Sequence, residues 1–165
     1  MSDHVALFGD RNALVGIRSD PVDVSGPDRP AVVLLNAGLV HRVGPNRVHV
    51  KLSRRLAAAG HVVLRFDLSG LGDSPTRTDA VPFAEYAIQE TRQALDYLED
   101  TSKMRRIVLI GICSGADVAF STAAVDSRVV GVVMINGSGD LSVPVGTTQE
   151  LAVAHTYARY YHSRL

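Results

Sequence analysis

Residues Ala31, Val32, Val33, Leu34 and Leu35 are apolar without interruption. A strand with one wet face alternates apolar and polar side chains, so an unbroken run marks a strand covered on both faces, as in a parallel sheet with helices on each side. The rest of the chain repeats the theme. Residues 46–59 (NRVHVKLSRRLAAA) place Val48, Leu52, Leu56 and Ala59 at helical spacing, with Gly60 as the C-terminal cap. A strand at 62–66 follows, then a long helix from 82 or 83 to about 100 with Ala84, Ile88, Leu95 and Leu98 on its apolar face. Residues 107–110 read as strand, 114–124 as helix, and 129–135 (VVGVVMI) as a further strand buried on both faces. This alternation predicts an α/β fold with a mostly parallel sheet and right-handed crossovers.

Ahead of these elements, the apolar stretches 5–8 and 13–17 flank Gly9-Asp10-Arg11-Asn12, the composition of a hairpin turn, and predict two antiparallel strands. Residues 21–30 (PVDVSGPDRP) form a loop, since three prolines deny them both helix and ladder hydrogen bonds. Charge narrows the partners. With 17 Lys and Arg against 17 Asp and Glu, no basic excess is present to displace counterions from nucleic acid. No apolar run approaches the roughly 20 residues that span a bilayer, and the charged start MSDHVALFGDRN lacks the apolar segment of a leader, so a cytoplasmic protein without membrane contact is expected. A single cysteine, Cys113, excludes an intrachain disulfide framework and a cysteine-cluster metal site.

That cysteine stands in Gly111-Ile112-Cys113-Ser114-Gly115-Ala116, where an apolar strand meets a helix. G-x-nucleophile-x-G at such a junction is a nucleophile elbow: the glycines permit a sharp turn and the middle residue is held exposed at the end of the strand. The amide-rich N-terminus of a helix favours negative charge, which suits a thiolate there. The other reading of a lone cysteine in a small-residue turn is a buried, inert one. Ser114, one residue on, is expected to turn its side chain elsewhere while its backbone N–H is placed to bind an oxyanion.

Two further turns belong to the pattern. Asn36-Ala37-Gly38-Leu39 follows the 31–35 strand, and Asp67-Leu68-Ser69-Gly70-Leu71-Gly72-Asp73-Ser74-Pro75 follows the 62–66 strand. The second contains G-x-G without the third glycine or the ensuing helix of a dinucleotide-binding loop. It reads as a structural turn.

With the three motifs in this order the chain resembles the N-terminal half of an α/β-hydrolase, over essentially all of its length. RLAAAGHVVLRFDLSGLGDS together with GICSGA is similar to bacterial hydrolases associated with exosortase systems and to related hydrolases of biosynthetic clusters; dienelactone hydrolase is another relative in fold with cysteine at the elbow. The resemblance implies an acyl hydrolase or acyltransferase acting on a small ester or thioester with Cys113 as nucleophile. Its oxyanion hole would be built from the Ser114 N–H and the loop Ala37, Gly38 and Leu39, although the usual His-Gly of that loop is here Asn36-Ala37. No metal or organic cofactor is implied. Residues 1–140 would form the N-terminal part of the core, and 141–165 the start of a lid or cap helix.

In such a fold the catalytic acid and histidine follow the nucleophile, the histidine after an eighth strand. Six strands are legible, and the last two are missing from the pattern. The expectation is therefore a fragment, a two-chain enzyme completed by a second polypeptide or a homo-oligomer, or a non-catalytic interaction subunit. Within the chain the candidates are Asp140, in a Gly/Ser loop after the sixth strand, and His41, in the oxyanion loop; a turn aspartate and a solvated histidine are the plainer readings. His155 and His162 share a helical face with an i, i+7 spacing of about 10 Å, too far apart for one metal. Tyr157, Tyr160 and Tyr161 on that helix could roof an acyl pocket or simply pack.

Overall fold

A computed structural model describes residues 1–22 and 29–138. The six strands are β1 (Ser2–Phe8), β2 (Leu14–Asp20), β3 (Ala31–Leu35), β4 (Val63–Phe66), β5 (Ile107–Ile112) and β6 (Val129–Ile135). They form one sheet in the order β1-β2-β4-β3-β5-β6. β1 and β2 are the expected antiparallel hairpin and β2 joins β4 antiparallel, whereas β4, β3, β5 and β6 run parallel. The connections are the helices α1 (Val48–Ala58), α2 (Phe83–Ser102) and α3 (Ser114–Val125).

Strand alternation sorts the core into two layers. Val33, Leu35, Leu64, Phe66, Ile107 and Leu109 pack with Ala94, Leu95 and Leu98 of α2 and Val118 and Ala119 of α3. Their neighbours in register, Val32, Leu34, Val63 and Ile110, pack with Ala57 of α1. β3 is therefore buried from both sides along its whole length, as its composition demands.

Three helix and strand faces differ from the sequence expectation. α1 buries His49, Val50, Ser53 and Ala57, while Val48 and Ala59 are exposed and Leu52 and Leu56 only half-buried. A 3-10 turn at Pro45–Arg47 with left-handed Asn46 and Arg47 sets the helix phase. Counting apolar residues misses that phase because the sheet here carries the buried Arg65, and polar side chains face it. On α2, Ala84 is exposed and Ile88 half-buried, and the buried stripe runs instead through Ala87, Glu90, Thr91, Ala94, Leu95 and Leu98. No residue of β6 is fully buried. It is the edge strand among the described residues, so Val130, Val133 and Ile135 remain 44–48% exposed.

β3 is the topological switch point: the chain crosses from it to β4 on one side and later to β5 on the other. The crevice beyond the carboxyl ends of β3 and β5 is where open α/β sheets bind ligands. The loop after β3 and the elbow after β5 both open there.

Candidate active site

Cys113 joins β5 to α3 with φ 56° and ψ −126°. A side chain in this region is strained, and such strain persists only where the surroundings enforce it. Two hydrogen bonds and two glycines do so. The Cys113 N–H donates to Ile135 O of β6 at 2.8 Å, and its carbonyl accepts the Ala116 N–H at 2.9 Å. The flanking glycines supply space: a Cβ on Gly111 would overlap the Gly115 carbonyl, and one on Gly115 would overlap the carbonyl oxygen of Asn36. The left-handed residue of the elbow is thus the cysteine itself, while the glycines allow strand, helix and neighbouring strand to touch. Cys113 is exposed, not buried as the plainer reading of a lone cysteine has it. As the first helical residue, Ser114 has an N–H without an intrahelical acceptor, beside the thiol.

The loop after β3 is held from beneath. Asn36 is buried; its Nδ2 donates to Val40 O at 3.1 Å and to Asp67 Oδ1 at 3.4 Å, and its Oδ1 accepts the Leu68 N–H at 3.0 Å. A Val40 N–H to Ala37 O bond of 3.1 Å closes the turn. Asp67, fully buried at the end of β4, accepts the Arg42 and Asp73 N–H groups at 2.5 and 3.2 Å and pairs with the Arg42 guanidinium, which also reaches Asp73. Burial opposes the Arg42 charge, but the hydrogen bonds to Asp73 and Asp67 outweigh it and raise the guanidinium above its ordinary pKa. Sequence reasoning missed this network. Its legible trace was a carboxylate directly after an apolar strand, which needs a partner if buried.

At the top of that loop Gly38 takes φ +57°, and its N–H donates to Ser114 Oγ at 2.9 Å. This corrects the expected orientation of Ser114. Its hydroxyl points at the loop after β3 and occupies the Gly38 amide, one of those expected to serve an oxyanion. Ala37 is buried, and the Leu39 side chain is 91% exposed above the cleft.

A pocket of about 520 Å³ extends from Gly38, Leu39 and Ser114 between walls that include Leu71, Val81 and Phe83. Arg77 lies over the Tyr86 ring at 5.3 Å, bonded to Asp79 at 2.5 and 2.9 Å and to Glu90 at 3.1 Å. Those bonds, to Asp79 first, keep Arg77 charged well above its usual range. Glu90 also accepts the Ser69 N–H and hydroxyl at 2.8 and 2.6 Å. The strongest polar groups of the pocket are therefore committed to one another. The turn 67–75 is braced as a structural turn, since Ser74 Oγ donates to Asp67 O at 2.7 Å and accepts the Val15 N–H at 3.0 Å, but its residues Ser69, Gly70 and Leu71 also line the pocket.

The structure brings Cys113, Ser114 and Gly38 together. His41 is exposed, and its ring has no hydrogen bond among the described residues. Asp140, His155, His162 and the three tyrosines near them lie outside the described residues.

A mostly parallel sheet with this switch point, a strained strand-to-helix turn after β5 and an adjoining loop after β3 is the architecture of the α/β-hydrolase class. The chain belongs to the α/β-hydrolase fold family, whose model matches residues 30–161. It is similar to a hypothetical protein from Pseudomonas aeruginosa at 25% identity and TM-score 0.66, covering 81% of this chain and 42% of that one. An esterase from Pyrococcus furiosus superposes at 22% identity and TM-score 0.65, covering 82% and 48%. A proline iminopeptidase from Mycobacterium smegmatis does so at 20% identity and TM-score 0.57, covering 82% and 44%. The chain thus spans less than half the length of these structures. No curated protein sequence matches it.

Proposed function

We propose that the protein is an acyl hydrolase or acyltransferase, or the nucleophile-bearing part of one, that acts on an ester or thioester through Cys113. The observation that supports this most is the exposed thiol held at positive φ directly before the Ser114 N–H, which as the first amide of the helix has no intrahelical acceptor. In the reaction Sγ bonds to the acyl carbon as the carbonyl π pair moves to oxygen, and the Ser114 N–H stabilises that oxyanion. Collapse restores the carbonyl and breaks the bond to the alcohol or thiol, which takes the proton that Cys113 gave to a base. Water, or an acceptor alcohol or thiol, then releases the acyl group and returns the proton to sulfur. The base is a histidine, either His41 or one brought by a complementary polypeptide or second copy along the open edge of β6, with Asp140 as a candidate acid. The apolar walls Leu71, Val81 and Phe83 fit an uncharged arm of the substrate. The finer likeness, to hydrolases associated with exosortase systems, rests on the two segments that flank this cleft.

Cys113→Ala should abolish acyl transfer from p-nitrophenyl esters and Cys113→Ser should leave a small residue of it, because an unactivated hydroxyl is the weaker nucleophile. Unchanged turnover in Cys113→Ala would remove this reading. The exposed β6 edge favours one alternative, a non-catalytic interaction subunit; it predicts slow iodoacetamide alkylation of Cys113 at pH 6, where the enzyme reading predicts fast alkylation.

A further inference from the structure

We infer that the Ser114 side chain, and not only its backbone, is a catalytic donor: its hydroxyl carries the Gly38 amide's polarisation into the oxyanion hole. The inference rests on the thiol-nucleophile reading above and adds a group to it. Gly38 N–H is already bound, since it donates to Ser114 Oγ at 2.9 Å. A serine oxygen has two lone pairs and one proton. One lone pair is taken by Gly38, and the proton has no acceptor among the described residues, while Ser114 itself lines the pocket with Gly38.

The consequence is geometric. For Gly38 N–H to bind the substrate oxygen directly, the serine hydroxyl would first have to leave it, and this rearrangement would be repeated in each turnover. With the hydroxyl in place no atom moves except its proton, which rotates toward the developing charge. An N–H bonded to Oγ polarises the O–H beyond it, because hydrogen bonds in series strengthen one another. The Ser114 N–H, held by the helix, and its O–H, whose oxygen is anchored on the Gly38 amide, then both donate to the developing charge from one residue directly after Cys113.

The test compares wild type, Ser114→Ala, Ser114→Thr and Cys113→Ala with p-nitrophenyl acetate, with thermal unfolding as a control for folding. Ser114→Ala frees the Gly38 amide, so the two assignments predict opposite results. If the hydroxyl is the donor, kcat falls about a hundredfold, KM changes less than about threefold, and Ser114→Thr, which keeps the hydroxyl, recovers most of the rate. If Gly38 donates directly, Ser114→Ala turns over as fast as wild type or faster. That result, with Cys113→Ala inactive, overturns the present inference and leaves the thiol reading standing. A wild type that neither cleaves the ester nor becomes acylated on Cys113, alone or with a complementary polypeptide, or an active Cys113→Ala, overturns both.

Discussion

The carbonyl oxygen of Asn36 occupies the space that a Cβ on Gly115 would need. This backbone contact joins the end of β3 to the first turn of α3, and so couples the loop after β3 to the turn that carries Cys113. Gly115→Ala must push the two apart. Overpacking of this kind costs roughly 1–3 kcal/mol or more. Urea unfolding should show that loss in midpoint, and ester turnover should fall further than stability alone explains, because the Gly38–Ser114 bond is stretched with it.

Asp67→Asn removes the buried charge that Arg42 pairs with while keeping its shape. Breaking a buried pair by removing one partner costs about 3–5 kcal/mol. Arg42 keeps Asp73, which is exposed, so the lower end is expected. A denaturation series on the variant, with Asp73→Asn as the milder comparison, measures the difference.

His49 is 1% exposed and neither ring nitrogen has a hydrogen-bond partner among the described residues; burial first and the nearby Arg65 second hold its pKa below the usual 6.5. A chain whose unfolded state binds the proton more readily loses stability as acid is added. The His49 contribution is therefore complete above pH 6.5 and is lost as pH falls from there through the lower folded value, at up to about 1.4 kcal/mol per pH unit. His49→Leu should flatten that part of the curve. A wild-type stability that stays level from pH 7 to 5 would contradict the burial argument.

β6 presents Val130, Val133 and Ile135 and a ladder edge unpaired among the described residues. Such edges seek partners. Light scattering of the 165-residue chain at micromolar concentration should give a mass above the monomer, and Val133→Lys should reduce it. A monodisperse, cooperatively unfolding wild-type monomer would count against a partner along β6.

Residues 31–35 and the elbow were legible for the same reason: each is a local pattern in which neighbours in the chain are also neighbours in the turn or strand. The β3 run is apolar at every position, as a strand covered on both faces is, and the glycines around Cys113 announced a sharp turn; that they also make room for close backbone contact is visible only in three dimensions. α1 was legible as a helix but not in its orientation, because His49 and Ser53 are buried against a sheet that holds Arg65, and polarity alone hides such a face.

What the sequence determined by itself is the class of fold, the order of its elements and the residue offered at the end of β5. The tertiary structure decided which groups meet. Asn36, Arg42 and Asp67 form one network across two loops, and Ser114 reaches Gly38 across 76 residues of chain. Those meetings depend on the parallel register of β3 with β4 and β5. Hydrogen bonds between loops are set by where strands end in space, and hydrophobic periodicity carries no record of that.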